Sequence, residues 1–216
     1  VGSASEGADE QDGDEQVGPH GRNVADAGTE APVWPGWLCG CAGVAWEEPV
    51  NIDLHTRDRT GAPLHLRRVQ LGELDALVAL GKAIVDADVG VVLEPDESSH
   101  ARTARRFERL TQAGPRHALV LGAFVNAVLV GTSDVFRHEL RRMRHGGALT
   151  MGVHPDWQGR GFGRALLGTA LAWADGVGLR RVELNVLAHN TRAVRLYESA
   201  GFVVEGTRRG AFVFPD

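Results

Sequence analysis

The chain has 216 residues, 43% hydrophobic and 24% charged, with a formal net charge of −5. That composition suits one globular domain of ordinary size and leaves little room for two. The longest mostly apolar stretch, residues 118–130, is interrupted by Gly122 and Asn126 and is too short to span a bilayer. With only Cys39 and Cys41 present, no disulfide framework is expected, and a reducing, cytoplasmic setting fits. The first residues are acidic and polar, without the basic and apolar regions of a secretory signal.

The charge is unevenly spread. Residues 1–60 hold 12 acids and 3 bases, net −9, and residues 61–216 hold 16 acids and 20 bases, net +4. The first 16 residues carry six acids, no base and almost no large apolar side chain. Such a segment buries too little apolar surface to offset its ordering entropy. Residues 1–60 are therefore expected to form an acidic, mostly disordered extension, and residues 61–216 the folded domain. Within the extension, Val33, Trp34, Trp37, Leu38, Val44 and Trp46 mark an apolar stretch suited to packing on the domain.

From Pro63 the pattern becomes regular. Leu64, Leu66 and Val69 begin a short strand. Leu71, Leu74, Leu77, Val78, Gly81, Ile84 and Val85 follow helical spacing. Pro95 breaks the chain, Ser98 or Ser99 caps a second helix, and Gly114-Pro115 ends it. Residues 117–125 and 128–136 are β-rich and joined by a tight turn near Asn126, which predicts a hairpin. Residues 148–153 read as a further strand. Phe162, Ala165, Leu166, Thr169, Ala170, Trp173 and Val177 place a strong helix after Gly161. Residues 181–187 alternate, with Val182, Leu184 and Val186 on one face. Asn190 caps a last helix that Gly201 closes, and residues 202–204 start a final strand. The predicted order, β-α-α-β-β-β-α-β-α-β, gives a mixed α/β sheet with helices on both faces.

The informative stretch runs from the strand end at Met151, Gly152 and Val153 through His154, Pro155, Asp156 and Trp157 to Gln158, Gly159, Arg160, Gly161, Phe162, Gly163 and Arg164. A strand stops, a loop follows, and a helix opens among glycines. The first amides of a helix lack internal partners and its dipole is positive there, so the loop suits a pyrophosphate. The spacing excludes two alternatives. A dinucleotide fingerprint needs a glycine where Arg164 stands, and a Walker loop needs Gly-Lys-Ser/Thr, whereas the single lysine, Lys82, precedes Ala83. What remains is Q-x-x-G-x-G, at Gln158, Gly161 and Gly163.

This stretch resembles the acetyl-CoA loop of the GCN5-related N-acetyltransferase (GNAT) family. A second signature follows at the expected separation: Asn190, Ala193, Leu196-Tyr197-Glu198 and Gly201-Phe202. The resemblance implies an acyl-CoA N-acyltransferase fold: a central, mostly antiparallel sheet with a splayed β-α-β cofactor site. It further implies that Met151, Gly152 and Val153 pair with the pantetheine amides. Gln158, Gly159, Arg160, Gly161, Phe162, Gly163 and Arg164 would form the pyrophosphate loop. Asn190 would bond the pantetheine arm, and Tyr197 would act as general acid toward the leaving thiolate. Each role has a plainer competitor: Asn190 as a helix cap, Tyr197 as a core aromatic, Arg160 and Arg164 as solvated charges.

The implied reaction is direct attack of an amine on the acetyl-CoA thioester. It needs a base within hydrogen-bond or one-water reach, a donor for the carbonyl oxygen, and no metal. No metal pattern is read: His138-Glu139-Leu140-Arg141-Arg142 lacks a second histidine, and Cys39 and Cys41 lack a second ligand pair. Family members that acetylate ribosomal protein N-termini carry a glutamate where Asn185 stands, and an amide cannot take the proton. Glu183, His154, Asp134, Glu94 or an ordered water remain as candidates. Arg137, Arg141, Arg142 and Arg144, with His138 and His145, form a basic loop that reads as solvated or as attracting an anionic acceptor or CoA phosphate. The expected acceptor is a small-molecule or peptide amine, an amino acid above all, with protein acetylation and non-catalytic acyl-CoA binding as rivals. Nucleic acid and membrane are not expected partners. Family members close with a hairpin whose last strand enters the sheet. Here Phe214-Pro215-Asp216 stands where the turn is expected, so either another chain, as in a homodimer, fills that position or the sequence is truncated.

Overall fold

The computed structural model describes residues 52–87 and 97–212. Among these residues six strands form one sheet in the order β1 (Asp53–Arg57), β2 (Pro63–Arg68), β3 (Ala118–Val125), β4 (Val128–Arg137), β5 (Gly146–Val153) and β6 (Arg181–Glu183). The first five pair antiparallel, and β5 pairs with β6 in parallel. Helices α1 (Leu74–Asp86) and α2 (His100–Gln112) lie between β2 and β3 in sequence, α3 (Phe162–Gly176) between β5 and β6, and α4 (Thr191–Ser199) after β6. Here the sequence reading of a mixed α/β sheet, mostly antiparallel and closed by a β-α-β unit, matches the architecture.

The helices cover opposite faces. On one, α3 places Phe162, Leu166, Leu167 and Trp173 against Leu64, Leu66, Leu119 and Leu149. On the other, Leu77, Leu80 and Ile84 of α1 and Phe107 and Leu110 of α2 meet Val120, Phe124 and Leu129. Strand β3 is buried along its whole length because both of its faces are covered. Ser99 caps α2 by accepting from the Arg102 amide at 3.3 Å. The β3–β4 turn puts Asn126 at φ +48° and Ala127 at +66°, the twist that a two-residue hairpin needs.

Three expectations change. The sheet starts before residue 61: β1 pairs along its length with β2, from Asp53↔Arg67 to Arg57↔Pro63, so it belongs with the domain rather than the extension. The strand expected over residues 181–187 ends at Glu183, because β5 diverges from it there and no strand among the described residues flanks residues 184–187. The strand expected at residues 202–204 is not formed; with no partner among the described residues to complete a ladder, Val203 and Val204 stay 51% and 71% exposed. The apolar stretch with Trp34, Trp37 and Trp46, both cysteines and Glu94 lie outside the described residues.

Candidate active site

Strand β5 is paired on one edge throughout, from Arg137↔Gly147 to Gly131↔Val153. On its other edge only Gly146, Gly147 and Ala148 pair, with Arg181, Val182 and Glu183. From residue 149 to 153 that edge has no strand neighbour among the described residues. An extended backbone with open amides and carbonyls is a template for one more extended segment. Met151, Gly152 and Val153 occupy this open part.

The glycine loop follows at once. A 3-10 turn (Pro155–Trp157) leads to Gln158, whose Nε2 donates to the Val153 carbonyl at 3.3 Å. Its Oε1 accepts from Arg192 Nη1 of α4 at 3.0 Å. Gln158 therefore ties the loop to the strand it leaves and to the second signature. Gly159 (φ +84°) and Gly161 (φ +96°) take left-handed conformations that other residues adopt only with strain. Gly163 has a different reason: a Cβ there would lie 3.2 Å from Leu196 Cδ2 and 3.5 Å from Met151 Cε. Its missing side chain lets α3 approach α4. The amide-rich start of α3 has no side-chain cap, because the capping position is Gly161.

Three arginines lie on or next to that helix start. Arg160 donates to the Asp156 carbonyl at 3.2 Å and stacks 4.7 Å from the Trp157 ring centre. Trp157 in turn meets Phe162 edge-on at 5.7 Å, and Phe162 is buried in the core at 1% exposure. Phe162 thus shapes the loop from beneath. Arg164 lies in the first turn of α3. Arg59 is a residue that sequence reasoning missed. Asp58 Oδ1 accepts from the Thr60 amide, the Thr60 hydroxyl and the Ala62 amide, at 2.8, 2.7 and 2.9 Å, and so shapes the β1–β2 turn. That turn brings the Arg59 amide to the Arg160 carbonyl at 2.9 Å. An uncapped helix start with Arg59, Arg160 and Arg164 on or next to it, beside an open strand edge, fits a long anionic cofactor with an extended amide arm.

The second signature lies against the first. Asn190 Oδ1 accepts from the Ala193 amide at 3.1 Å and caps α4, so the capping role is present. Tyr197 packs edge-on against Phe202 at 5.8 Å. Burial pushes its phenol up to about 12, and its hydroxyl has no hydrogen-bond partner among the described residues.

On the α1–α2 face, below the open edge, Arg106 Nε and Nη2 hold Asp134 Oδ2 at 3.2 and 3.1 Å, and Arg106 Nη2 also reaches the Thr150 hydroxyl at 2.8 Å. Burial raises the Asp134 carboxyl above its usual range, against the pull of Arg106. Glu183 accepts from Arg181 Nε and meets His138 Nε2, each at 3.0 Å. Asn185 is exposed, and His154 Nδ1 is taken by the Asp156 amide at 3.3 Å. The basic loop does not adjoin the glycine loop: it joins β4 to the opposite end of β5, about 23 Å away at 3.3 Å per residue. Arg137 and Arg144 there bond loop and helix-end carbonyls.

A sheet opening beside a glycine-bounded helix start is the arrangement that the sequence resemblance led one to expect. The family model described as "Acetyltransferase (GNAT) family" matches residues 89–202, and the chain belongs to that family. The chain is 40% identical over 65 residues to a mycothiol acetyltransferase of Propionibacterium freudenreichii subsp. shermanii, covering 30% of this chain and 21% of that protein. It is 36% identical over 96 residues to the N-alpha-acetyltransferase RimI of Mycobacterium tuberculosis, covering 44% of this chain and 54% of that protein. The chain thus spans about a fifth of the first relative and about half of the second. The fold matches an acetyltransferase of the GNAT family from Streptococcus pneumoniae with a TM-score of 0.64 and 27% identity, covering 71% of this chain and 92% of that structure. No helix among the described residues is long and apolar enough to cross a membrane.

Proposed function

We propose that this chain transfers an acetyl group from acetyl-CoA to a small-molecule primary amine, a free amino acid above all, by direct attack. The observation that carries the proposal is the convergence of the open β5 edge with the glycine loop. Gln158 binds the Val153 carbonyl on one side and Arg192 on the other, which holds strand end, loop and α4 together and supports this reading.

Acetyl-CoA supplies the acetyl group as an activated thioester. The residues of the chain do the rest. The first amides of α3, with Arg59, Arg160 and Arg164, hold the pyrophosphate. The backbone of Met151, Gly152 and Val153 aligns the pantetheine arm, and Asn190 adds a side-chain contact. The backbone N–H near Val153 stabilises charge developing on the carbonyl oxygen. Tyr197 donates a hydrogen bond toward the leaving sulfur. A phenol with a pKa of about 12 keeps its proton through the neutral range, so the donor is always present. The proton of the incoming amine is assigned to Asp134, the register partner of Thr150 on the open part of β5, held by Arg106 and with a proton affinity that burial increases. No metal takes part in this scheme.

The RimI likeness supports a second reading, transfer to a protein N-terminus, and Asn185 argues against it because an exposed carboxamide accepts no proton. The test is thiol release from acetyl-CoA with a pool of amino acids, polyamines, aminoglycosides and short peptides, followed by splitting of the pool. Release that follows a free amine supports the proposal. Release that follows only the peptides moves it to the protein reading. No release by protein that binds acetyl-CoA leaves a binding module instead of an enzyme.

A further inference from the structure

The cover that α1 and α2 give the sheet stops short of its β1–β2 end. There Asp53 and His55, exposed on β1, stand beside His65 on β2. His55 and His65 are register partners, directly opposite across the pair, and their rings stack with centres 4.0 Å apart. Asp53 sits on the diagonal. Its Oδ1 is hydrogen-bonded to His65 Nε2 and lies 3.7 Å from His55 Nε2. One ligand atom from each of the three residues lies within 4.8 Å of the others.

A tetrahedral ion bound at about 2.0–2.1 Å needs its ligand atoms about 3.4 Å apart. The three groups are close to that spacing already. The two rings stack nearly parallel, at 13°, so their in-plane nitrogens do not yet converge; His55 and Asp53, 75% and 62% exposed, are free to change rotamer and bring the three groups onto one ion without moving the backbone. The charge balance agrees. Arg67 stands opposite Asp53, but its guanidinium is taken by Glu73 at 2.6 and 2.8 Å and lies 3.7 Å above the Phe124 ring. Arg57, the next outward residue on β1, donates to the Gly61 carbonyl at 2.6 Å. With both arginines engaged, Asp53 keeps its negative charge for an ion.

We propose that Asp53, His55 and His65 bind one divalent transition-metal ion of the zinc, cobalt and nickel class. Two imidazoles and one carboxylate favour these ions over magnesium or calcium, which take mainly oxygen ligands. The ion clips edge strand β1 to β2 and leaves a coordination position open to solvent. The motif is invisible in sequence because D-x-H on one strand meets its third ligand only through the hairpin register. The proposal is independent of the acetyl-transfer reading.

The test is calorimetric titration of the tag-free full chain, stripped with a chelator, using zinc alone. One ion per chain is expected, with a higher melting temperature in its presence. His55→Gln and His65→Gln each weaken binding by at least about tenfold, because even outer-sphere partners of a metal commonly change affinity that much. Folding of the variants is checked by their circular-dichroism melts without metal, and the exposure of His55 makes its replacement the safer of the two. Cobalt binding gives a spectrum without a thiolate charge-transfer band, which separates this site from Cys39 and Cys41. No bound ion in the wild-type chain, unchanged affinity in both folded variants, or a cobalt thiolate band overturns the proposal.

Discussion

Arg59 packs against Gly161: a Cβ on Gly161 would lie 3.1 Å from Arg59 Cγ, and the Arg59 amide donates to the neighbouring Arg160 carbonyl. The β1–β2 turn thus forms one wall of the glycine loop. Replacing Arg59 by Ala is expected to weaken acetyl-CoA binding about three- to tenfold, the scale of one charge-assisted contact at an exposed site. Isothermal titration at low and moderate salt checks this. Unchanged affinity at both would place Arg59 outside the phosphate site.

Tyr197→Phe separates binding from catalysis. The phenyl ring keeps the packing on Phe202 and removes the donor. Turnover is expected to fall about ten- to a hundredfold, with acetyl-CoA affinity nearly unchanged. The pH dependence follows from the sign of the shift. Burial raises the phenol to about 12, so it stays protonated from pH 6 to 10, and the ratio of wild-type to variant rates is constant across that window. A ratio that collapses toward one between pH 8 and 10 would contradict this.

Asp134 predicts an acidic limb. Its folded-state pKa is raised, so the ionised form needed to take a proton is lost as pH falls through that raised value. In Asp134→Asn the limb in kcat/KM disappears and turnover drops about a hundredfold, the lower end of general-base effects. A pH–rate profile of the same shape as wild type would remove Asp134 from the proton path. Because the substitution also releases Arg106, melting temperature is measured in parallel.

Glu73 gives a prediction about stability alone. Arg67 holds its carboxyl below the usual 4.5, and both side chains are about a quarter exposed. A lowered folded-state pKa contributes stability that is present above the unfolded value and lost as pH falls through the folded one. Glu73→Gln therefore destabilises the chain by about 1 kcal/mol at pH 7, a bidentate pair at the upper end of surface values. The difference shrinks toward acid pH in urea melts. An equal difference at both pH values would mean that packing, not charge, sets it.

What the sequence disclosed, and what it hid, divides along the range of the interactions. Helices α1 and α3 follow from the spacing of Leu74, Leu77, Ile84 and of Phe162, Leu166, Trp173, because a helix writes its buried face locally. The Asn126 turn was visible for the same reason. Strand β1 was hidden: in Asp53–Arg57 only Leu54 is apolar, and the acidic stretch before it dominates the composition. The early end of β6 depends on the divergence of β5, which no local pattern records. Within the site, the loop glycines were legible, but the reason for Gly163 was not. Its space is filled by Leu196, a contact set by how α3 meets α4. Arg59 and Arg106 carried no signal at all, since each reaches the site from a distant turn or helix.

If the glycine loop and the open β5 edge hold acetyl-CoA as proposed, Gly161→Val abolishes that binding. At φ +96° with Arg59 against it, a β-branched side chain both strains the backbone and displaces the loop wall. Calorimetry of wild type and variant with acetyl-CoA, each shown to be folded by its melt, gives the answer. One site per chain is expected in the wild type and no measurable binding in the variant. Retained affinity in a folded Gly161→Val chain, or no binding by the folded wild type, would contradict the proposal.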